Sequence, residues 1–287
     1  MGRSWRWFCA TLLAGSLLSG CGIDDGTLRT LDRAQAVALA QDGEPDWTRS
    51  GTVRLPHHWD QAWPGPSGRA AYRLRFDTSP ADGPLLGLYI ERACNTVEVR
   101  LNGQLVHQGG RQDEPVSRQC HQPQLVPLPA AMLVPAGNVL ELRLRGYAPD
   151  EVASSLAAGA LSAPRVGAYA ALSPEFHQRV AWSVRLPEAA GGTLVLMGGF
   201  MFLLGWFHRR QSYLAYFGAL MIGWALLQSR LWVTDLPWSN RVTELCLAST
   251  ASLVALAAVQ FLMRYGGRRW SQLDIGLPLQ CLSLIHI

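Results

Sequence analysis

An all-β sandwich followed by an α-helical transmembrane bundle is the fold this sequence predicts, on three observations. Residues 24–188 carry short alternating runs broken by Pro, Gly and Asn, with no long helical period. Beyond Leu186 come three apolar stretches, each close to the length that crosses about 30 Å of hydrocarbon. The chain also opens on a segment with the layout of an export signal. With 49 % apolar and 16 % charged residues in 287, it is rich in apolar side chains for a purely soluble protein.

The opening MGRSWRWFCATLLAGSLLSGCG places Arg3 and Arg6 before an apolar run and small residues before Cys21. Residues 1–21 therefore read as a signal peptide. Leu18-Ser19-Gly20-Cys21 is similar to the bacterial lipobox, in which the cysteine is acylated; a plain signal or an uncleaved anchor is the alternative. Residues 22–50 read as a leader, with one short helix expected over residues 32–42 in TLDRAQAVALAQDG.

The sandwich is expected over residues 51–150. Its strands are GTVRL, AAYRLRFD, LLGLYIE, TVEVRL, QLVHQ, QLVPL and NVLELRLRG, several of which alternate as half-buried antiparallel strands do. Asn102-Gly103, between two such runs, supplies the positive φ angles of a type I′ hairpin. Residues 151–188 form a juxtamembrane connector.

Three spans follow, over residues 189–207, 212–230 and 243–263. His208, Arg209 and Arg210 follow the first, and Arg264, Arg268 and Arg269 follow the third, while the RLWVTDLPWSNR link is mixed in charge. The positive-inside rule then places the first and third links in the cytoplasm, and the second link and β-domain outside. Export and charge give one orientation: a bacterial inner-membrane protein with a periplasmic N-terminal domain. A fourth span begins at residue 273 and has only fifteen residues, so the bundle is expected to be truncated there. The closing LSLIHI, residues 282–287, is similar to the translation of a transposon-end adaptor.

Gly191, Gly198 and Gly205 recur every seven residues on one face of the first span and are expected to let a neighbouring helix approach closely. Ala248/Ser252 and Ala251/Ala255 repeat the small-xxx-small spacing in the third span and are expected to pack within the bundle. The spans carry no Asp, Glu or Arg at mid-depth, which disfavours a transporter.

All 25 basic residues are Arg, so chemistry that needs a Schiff-base or phosphate-loop lysine is excluded. The net charge of +4 follows the membrane spans and implies no nucleic-acid partner. Cys94 and Cys120 lie in the exported domain and are expected to form a disulfide. His57 and His58 are adjacent in a strand and point to opposite faces, which suits a structural or lining role better than a metal site. Asp113-Glu114 before Pro115 reads as a solvated loop tip rather than a catalytic pair. No metal or cofactor is expected.

The stretch LPHHWDQAWPGPSGRAAYRLRF, then TVEVRLNGQLVHQGG, then LVPAGNVLELRLRG resembles the galactose-binding-like jelly roll at the N-terminus of family 2 glycoside hydrolases. Residues 55–59 with Tyr72, Arg73, Phe76, Asn102, Gly103, Gly137 and Asn138 carry the resemblance. The hydrolases continue into a catalytic TIM barrel; here membrane spans follow. Signal, jelly roll and bundle together are similar to bacterial seven-transmembrane receptors with diverse intracellular signalling modules, including sensor histidine kinases.

That resemblance implies a jelly-roll sensor, a transmitting bundle and a kinase core that would speak to a response regulator. The core is missing here, so this chain by itself is expected to have no enzymatic activity. The rival is a membrane-tethered carbohydrate-binding module without signalling output. Trp59, Trp63, Arg111 and His121 are the candidate ligand-binding residues, since aromatic and Arg groups suit a small polar or carbohydrate-like ligand. A second copy of the chain is a candidate partner, and residues 173–188 are the expected lever between domain and bundle.

Overall fold

The computed structural model describes residues 28–267, apart from 41–42, 60–62, 64–66, 80–82, 148–151 and 153–157. Cys21, the expected export segment and the expected fourth span lie outside the described residues. Strands come first: β1 (Arg29–Thr30), β2 (Arg33–Ala38), β3 (Gly51–Arg54), β4 (His57–His58), β5 (Arg69–Phe76), β6 (Leu86–Ile90) and β7 (Ala93–Cys94). They continue with β8 (Thr96–Leu101), β9 (Gln104–Gly109), β10 (Gln124–Leu128), β11 (Asn138–Arg145), β12 (Ala160–Leu161) and β13 (Arg165–Ala168).

A six-stranded sheet, ordered β3-β2-β5-β11-β8-β9, faces a four-stranded sheet, β1-β13-β6-β10, and a small sheet β4-β12-β7 closes one end. All the strand pairs are antiparallel. The alternation in β11 shows why the layers form. Leu140, Leu142 and Leu144 point inward onto Tyr72, Leu88 and Val99, while Glu141, Arg143 and Arg145 stay on the outer face.

Two asparagines lock this sheet. The φ angles of Asn102 (50°) and Gly103 (87°) make the expected hairpin turn between β8 and β9. The Asn102 side chain donates to Met132 O at 2.7 Å and accepts from Val139 N at 2.8 Å. Buried Asn138 donates to Val134 O and accepts from Val134 N and Asn102, so its desolvated amide is satisfied.

The expected helix over residues 32–42 is instead the strand β2. Alanine favours a helix in isolation, but Ala34 and Ala36 fill the core, and β2 pairs with β3 on one side and β5 on the other. Two ladders and burial outweigh a preference of tenths of a kcal/mol per residue, of order ~0.5. The sandwich accordingly begins at Arg29, inside the segment read as a leader, and β12 and β13 lie in the segment read as a connector.

Helix α1 (Tyr169–Val180) runs through a π turn (Ala181–Arg185) into α2 (Leu186–Phe207), a continuous helix of 39 residues. At 1.5 Å per residue it is about 58 Å long. The π turn falls just before Pro187, whose ring would clash with the carbonyl four residues back in an unbroken α-helix. Helices α3 (Tyr213–Gln228) and α4 (Asn240–Tyr265) complete the described bundle. All three long helices have the length and composition to cross a membrane. Their outward faces carry Leu196, Phe200, Trp206 and Leu262, all well exposed in the isolated chain.

Gly191, Gly198 and Gly205 are the buried residues of α2. An added Cβ on Gly198 would lie 2.9 Å from Gly218 O of α3, and one on Gly205 would lie 2.8 Å from Ala215 Cα. These contacts are to backbone, which cannot swing aside. Gly205→Ala is therefore expected to force α2 and α3 apart and destabilise the pair by about 1–3 kcal/mol. Thermal unfolding in micelles measures this, with Gly192→Ala, where a Cβ meets open space, as the unaffected control. In α4 the small residues Ala248, Ala251 and Ala255 are exposed and Ser252 is half-buried. The face that packs on α3 instead centres on Val254, which fills the gap over Gly223.

Candidate functional site at the junction of sandwich and bundle

The sandwich is attached to the bundle twice. Helix α1 lies across the four-stranded sheet, with Leu172 buried and Tyr169 N donating to Leu85 O at 2.9 Å. Gly87 of β6 makes this close approach, since a Cβ there would sit 3.2 Å from Tyr169 Cα. Arg165 pairs with Glu175, and Arg179 with Glu91. Because α1 is continuous with α2, this sheet and the first span share one helix.

The second attachment is made by the loop between β9 and β10. It turns at Gly110 (φ 86°) and closes on itself: Arg111 N donates to Ser117 Oγ at 2.8 Å, and Arg111 Nε to Pro115 O at 2.9 Å. Its far end is joined to the sheet by the Cys94–Cys120 disulfide, whose Cα atoms are 4.0 Å apart. The folded loop then grips the link between α3 and α4. Arg118 N donates to Thr234 O at 2.9 Å, and its guanidinium donates to Asn240 Oδ1 at 2.8 Å and to the Glu244 carboxylate. Ser117 Oγ donates to Asp235, and Arg111 Nη2 reaches Leu236 O at 3.5 Å. The Arg118 side chain is 16 % exposed and that of Glu244 28 %, so this charge-assisted pair is shielded from solvent.

His121 stands at the same junction. Burial, then the positive charges of Arg92 and Arg230, hold its imidazole below the usual histidine range. The fold thus keeps it neutral, with Arg230 contributed by the short turn Ser229–Leu231 that follows α3.

The four expected ligand-binding residues divide between two places. Arg111 and His121 belong to the junction, where Arg111 is committed to the loop and the membrane link. Trp59 is 1 % exposed and forms part of the main core. Its Nε1 donates to Tyr72 Oη at 2.9 Å, and His57 Nδ1 meets the same oxygen at 2.9 Å. Trp63 packs edge-on against His57, Trp59 and Tyr72. Burial pushes the Tyr72 phenol well above its ordinary value, so it remains a neutral hydrogen-bond hub. Trp59 therefore presents no surface to a ligand, and its aromatic character serves packing. Ser117, Arg118, Asp235 and Glu244 were missed from the sequence because their partners lie more than a hundred residues away.

Of the loop-tip carboxylates, Glu114 is exposed and pairs with Arg145 at 3.1 Å. Among the described residues no group of three or more His, Cys, Asp or Glu is gathered for a metal ion.

No protein-family model matches the sequence, and no curated protein matches it. Among solved structures the chain is similar to a family 2 β-galacturonidase from Eisenbergiella tayi bound to galacturonate, at 15 % identity and TM-score 0.34, over 49 % of this chain and 24 % of that one. It is also similar to a family 2 glycosyl hydrolase from Bacteroides cellulosilyticus, at 13 % identity and TM-score 0.37, covering 49 % and 20 %. A β-glucuronidase from Faecalibacterium prausnitzii gives 14 % identity and TM-score 0.30, covering 42 % and 21 %. The chain thus spans a quarter or less of the length of these proteins. The likeness is one of fold.

Proposed function

We propose that this chain is the sensory and membrane portion of a bacterial signal-transduction receptor, with the sandwich as its periplasmic input domain at the inner membrane. Its output would be a histidine-kinase core acting on a response regulator, as the resemblance to seven-transmembrane signalling receptors implies. The observation that carries the proposal is the double attachment. A tethered binding module needs only a linker, whereas here one helix runs from sheet to membrane and a separate loop grips the link between the next two helices. A change in the sandwich would then bias the helices through two rigid connections.

Loss of Arg118 tests this. Arg118→Ala removes charge-assisted bonds to Glu244 and Asn240, each worth about 1.5–3 kcal/mol when shielded. Amide exchange in the intact chain in nanodiscs is expected to rise about tenfold or more in residues 232–240 and in residues 111–119 together. Loosening confined to the sandwich loop would mean that the two parts are not coupled there, and the tethered-module reading would replace the receptor.

A further inference from the structure

Two cavities on the bundle run into one another and form a single groove. The first, of about 670 Å³, lies where α2 ends and α3 begins, and is lined by Phe202, Trp206, Ser212, Ala215, Tyr216 and Arg264. The second, of about 460 Å³, continues between α3 and α4 past Ile222, Gly223, Leu226 and Leu253. Phe202, Tyr216 and Ala219 belong to both. Small residues set the floor low: Gly205 lets α2 close against Ala215, and Gly223 receives the Val254 side chain. The polar groups gather at one end. Arg264 Nη1 donates to Ser212 Oγ at 3.2 Å and Nε to Gln260 Oε1 at 3.4 Å, with the guanidinium carbon 4.6 Å from the centre of the Tyr216 ring. Gln260 is only 4 % exposed, so the guanidinium is held in place from both α3 and α4. In the other half of the groove Thr250 bonds its hydroxyl to Cys246 O within its own helix.

In a membrane the polar end falls at headgroup level. Trp206 and Tyr265 are well exposed there and Tyr213 packs edge-on against Tyr265, and Trp and Tyr collect where hydrocarbon meets headgroups. From Tyr216 to Leu226 the groove follows α3 for about 15 Å, half of a hydrocarbon core of about 30 Å and so the depth of one acyl chain. Charge at this end has one sign: residues 208–212 and 264–274 carry five Arg against one Asp. Basic pockets between membrane helices attract anionic headgroups. A small inorganic anion would leave the apolar length bare, and a wholly apolar molecule would make no use of the guanidinium. A further helix laid along the groove would bring a main chain already bonded to itself, with no acceptor to offer. A phosphodiester matches the Arg fork bidentately, and its lipid supplies the chain.

We propose that this groove is a binding site for one anionic phospholipid, its phosphate on Arg264 and Ser212 and one acyl chain along α3 from Tyr216 to Leu226. The lipid would meet α2 at Phe202 and Trp206, α3 at Tyr216 and Ile222, and α4 at Arg264 and Leu253. Because it touches all three helices in the folded bundle and finds no such groove in a separated one, occupancy stabilises the bundle by mass action. The site rests on the bundle alone and stands apart from the receptor reading above.

The test uses the intact chain in micelles of a neutral detergent at about 0.15 M salt, where the Debye length is about 8 Å and charges outside the site are screened. Dioleoyl phosphatidylglycerol is the probe, dioleoyl phosphatidylcholine the zwitterionic lipid and inorganic phosphate the anion without a chain. Native mass spectrometry counts bound lipid, and helical circular dichroism follows melting. Phosphatidylglycerol is expected to bind as one copy, about tenfold or more tightly than phosphatidylcholine, and to raise the melting midpoint. Arg264→Gln removes the charge and Ala219→Phe fills the groove; each is expected to weaken binding about tenfold or more. Arg210→Gln, which takes a charge from the same end outside the lining, is expected to weaken it about twofold at most. Headgroup and chain are tested by separate variants, so a folding defect in one, seen as a lower midpoint without lipid, leaves the other to decide. Equal affinity for the two lipids, or equal losses in Arg264→Gln and Arg210→Gln, overturns the headgroup site. Unchanged binding in Ala219→Phe removes the acyl chain from the groove and refutes the proposal, as does inorganic phosphate that raises the midpoint as far as the lipid does. If the unsubstituted chain retains no lipid, protein covers the groove, a further span or a second copy, and the lipid site is wrong.

Discussion

Trp59→Ala is expected to destabilise the β-domain by about 3–5 kcal/mol, the range for removing a large aromatic side chain from a packed core. The indole lies against Gly146 and Gly159, where an added Cβ on Gly146 would sit 2.7 Å from the ring, so nothing nearby can expand to fill the space. The change also removes the Nε1 donor from Tyr72 Oη. Urea unfolding followed by near-ultraviolet circular dichroism of the intact chain measures the loss. The outcome separates two roles for one residue. A core tryptophan lowers the midpoint, whereas a ligand-facing one would leave stability within about 0.5 kcal/mol and change only binding.

The Cys94–Cys120 bridge carries the second large effect. It closes a sequence separation of 26 residues, which in the chain-entropy account stabilises the folded domain by about 3.5 kcal/mol. The closed segment contains the β8–β9 hairpin and the loop that grips the membrane link. Cys94→Ser with Cys120→Ser is therefore expected to lower β-domain stability by about 3 kcal/mol and to speed amide exchange in residues 111–119. Helical circular dichroism should persist, because α2, α3 and α4 pack on one another through contacts that the bridge does not touch. A loss below about 1 kcal/mol would show that the sheet holds the loop without the staple.

Much of the fold was legible locally. Seven strands follow from alternation and bounding turn residues, and the Asn102-Gly103 turn from its need for positive φ. The three long apolar helices follow from run length, and the close approach of α3 at Gly198 and Gly205 from their heptad spacing, whereas Gly191 meets the Trp232 side chain of the link after α3. The short strands β1, β7, β12 and β13 were not legible, because two to four residues hold too little periodicity. β2 was misread for the opposite reason: its alanines carry a clear helical preference that neighbouring strands override. In α4 the small-residue spacing is present, but spacing alone does not say which face meets a neighbour.

The candidate site was legible only in its parts. Trp59 and Arg111 stood out as side chains that bind things, and both do so within the protein itself, one in the core and one in the loop. Arg118 and Glu244 form the principal ion pair of the junction across 126 residues of chain, and no local pattern links them.

The amino-acid order alone determined the chemistry of the two halves: alternation makes a sandwich that must bury one face of each sheet, and long apolar runs make helices that water cannot accommodate. Both are consequences of solvent on neighbouring residues, so they can be read along the chain. Tertiary structure decided how the halves are joined and which aromatic residues are core. Those outcomes depend on distances between residues remote in sequence, because packing and hydrogen bonding act through space and carry no signature in the order of the residues that meet.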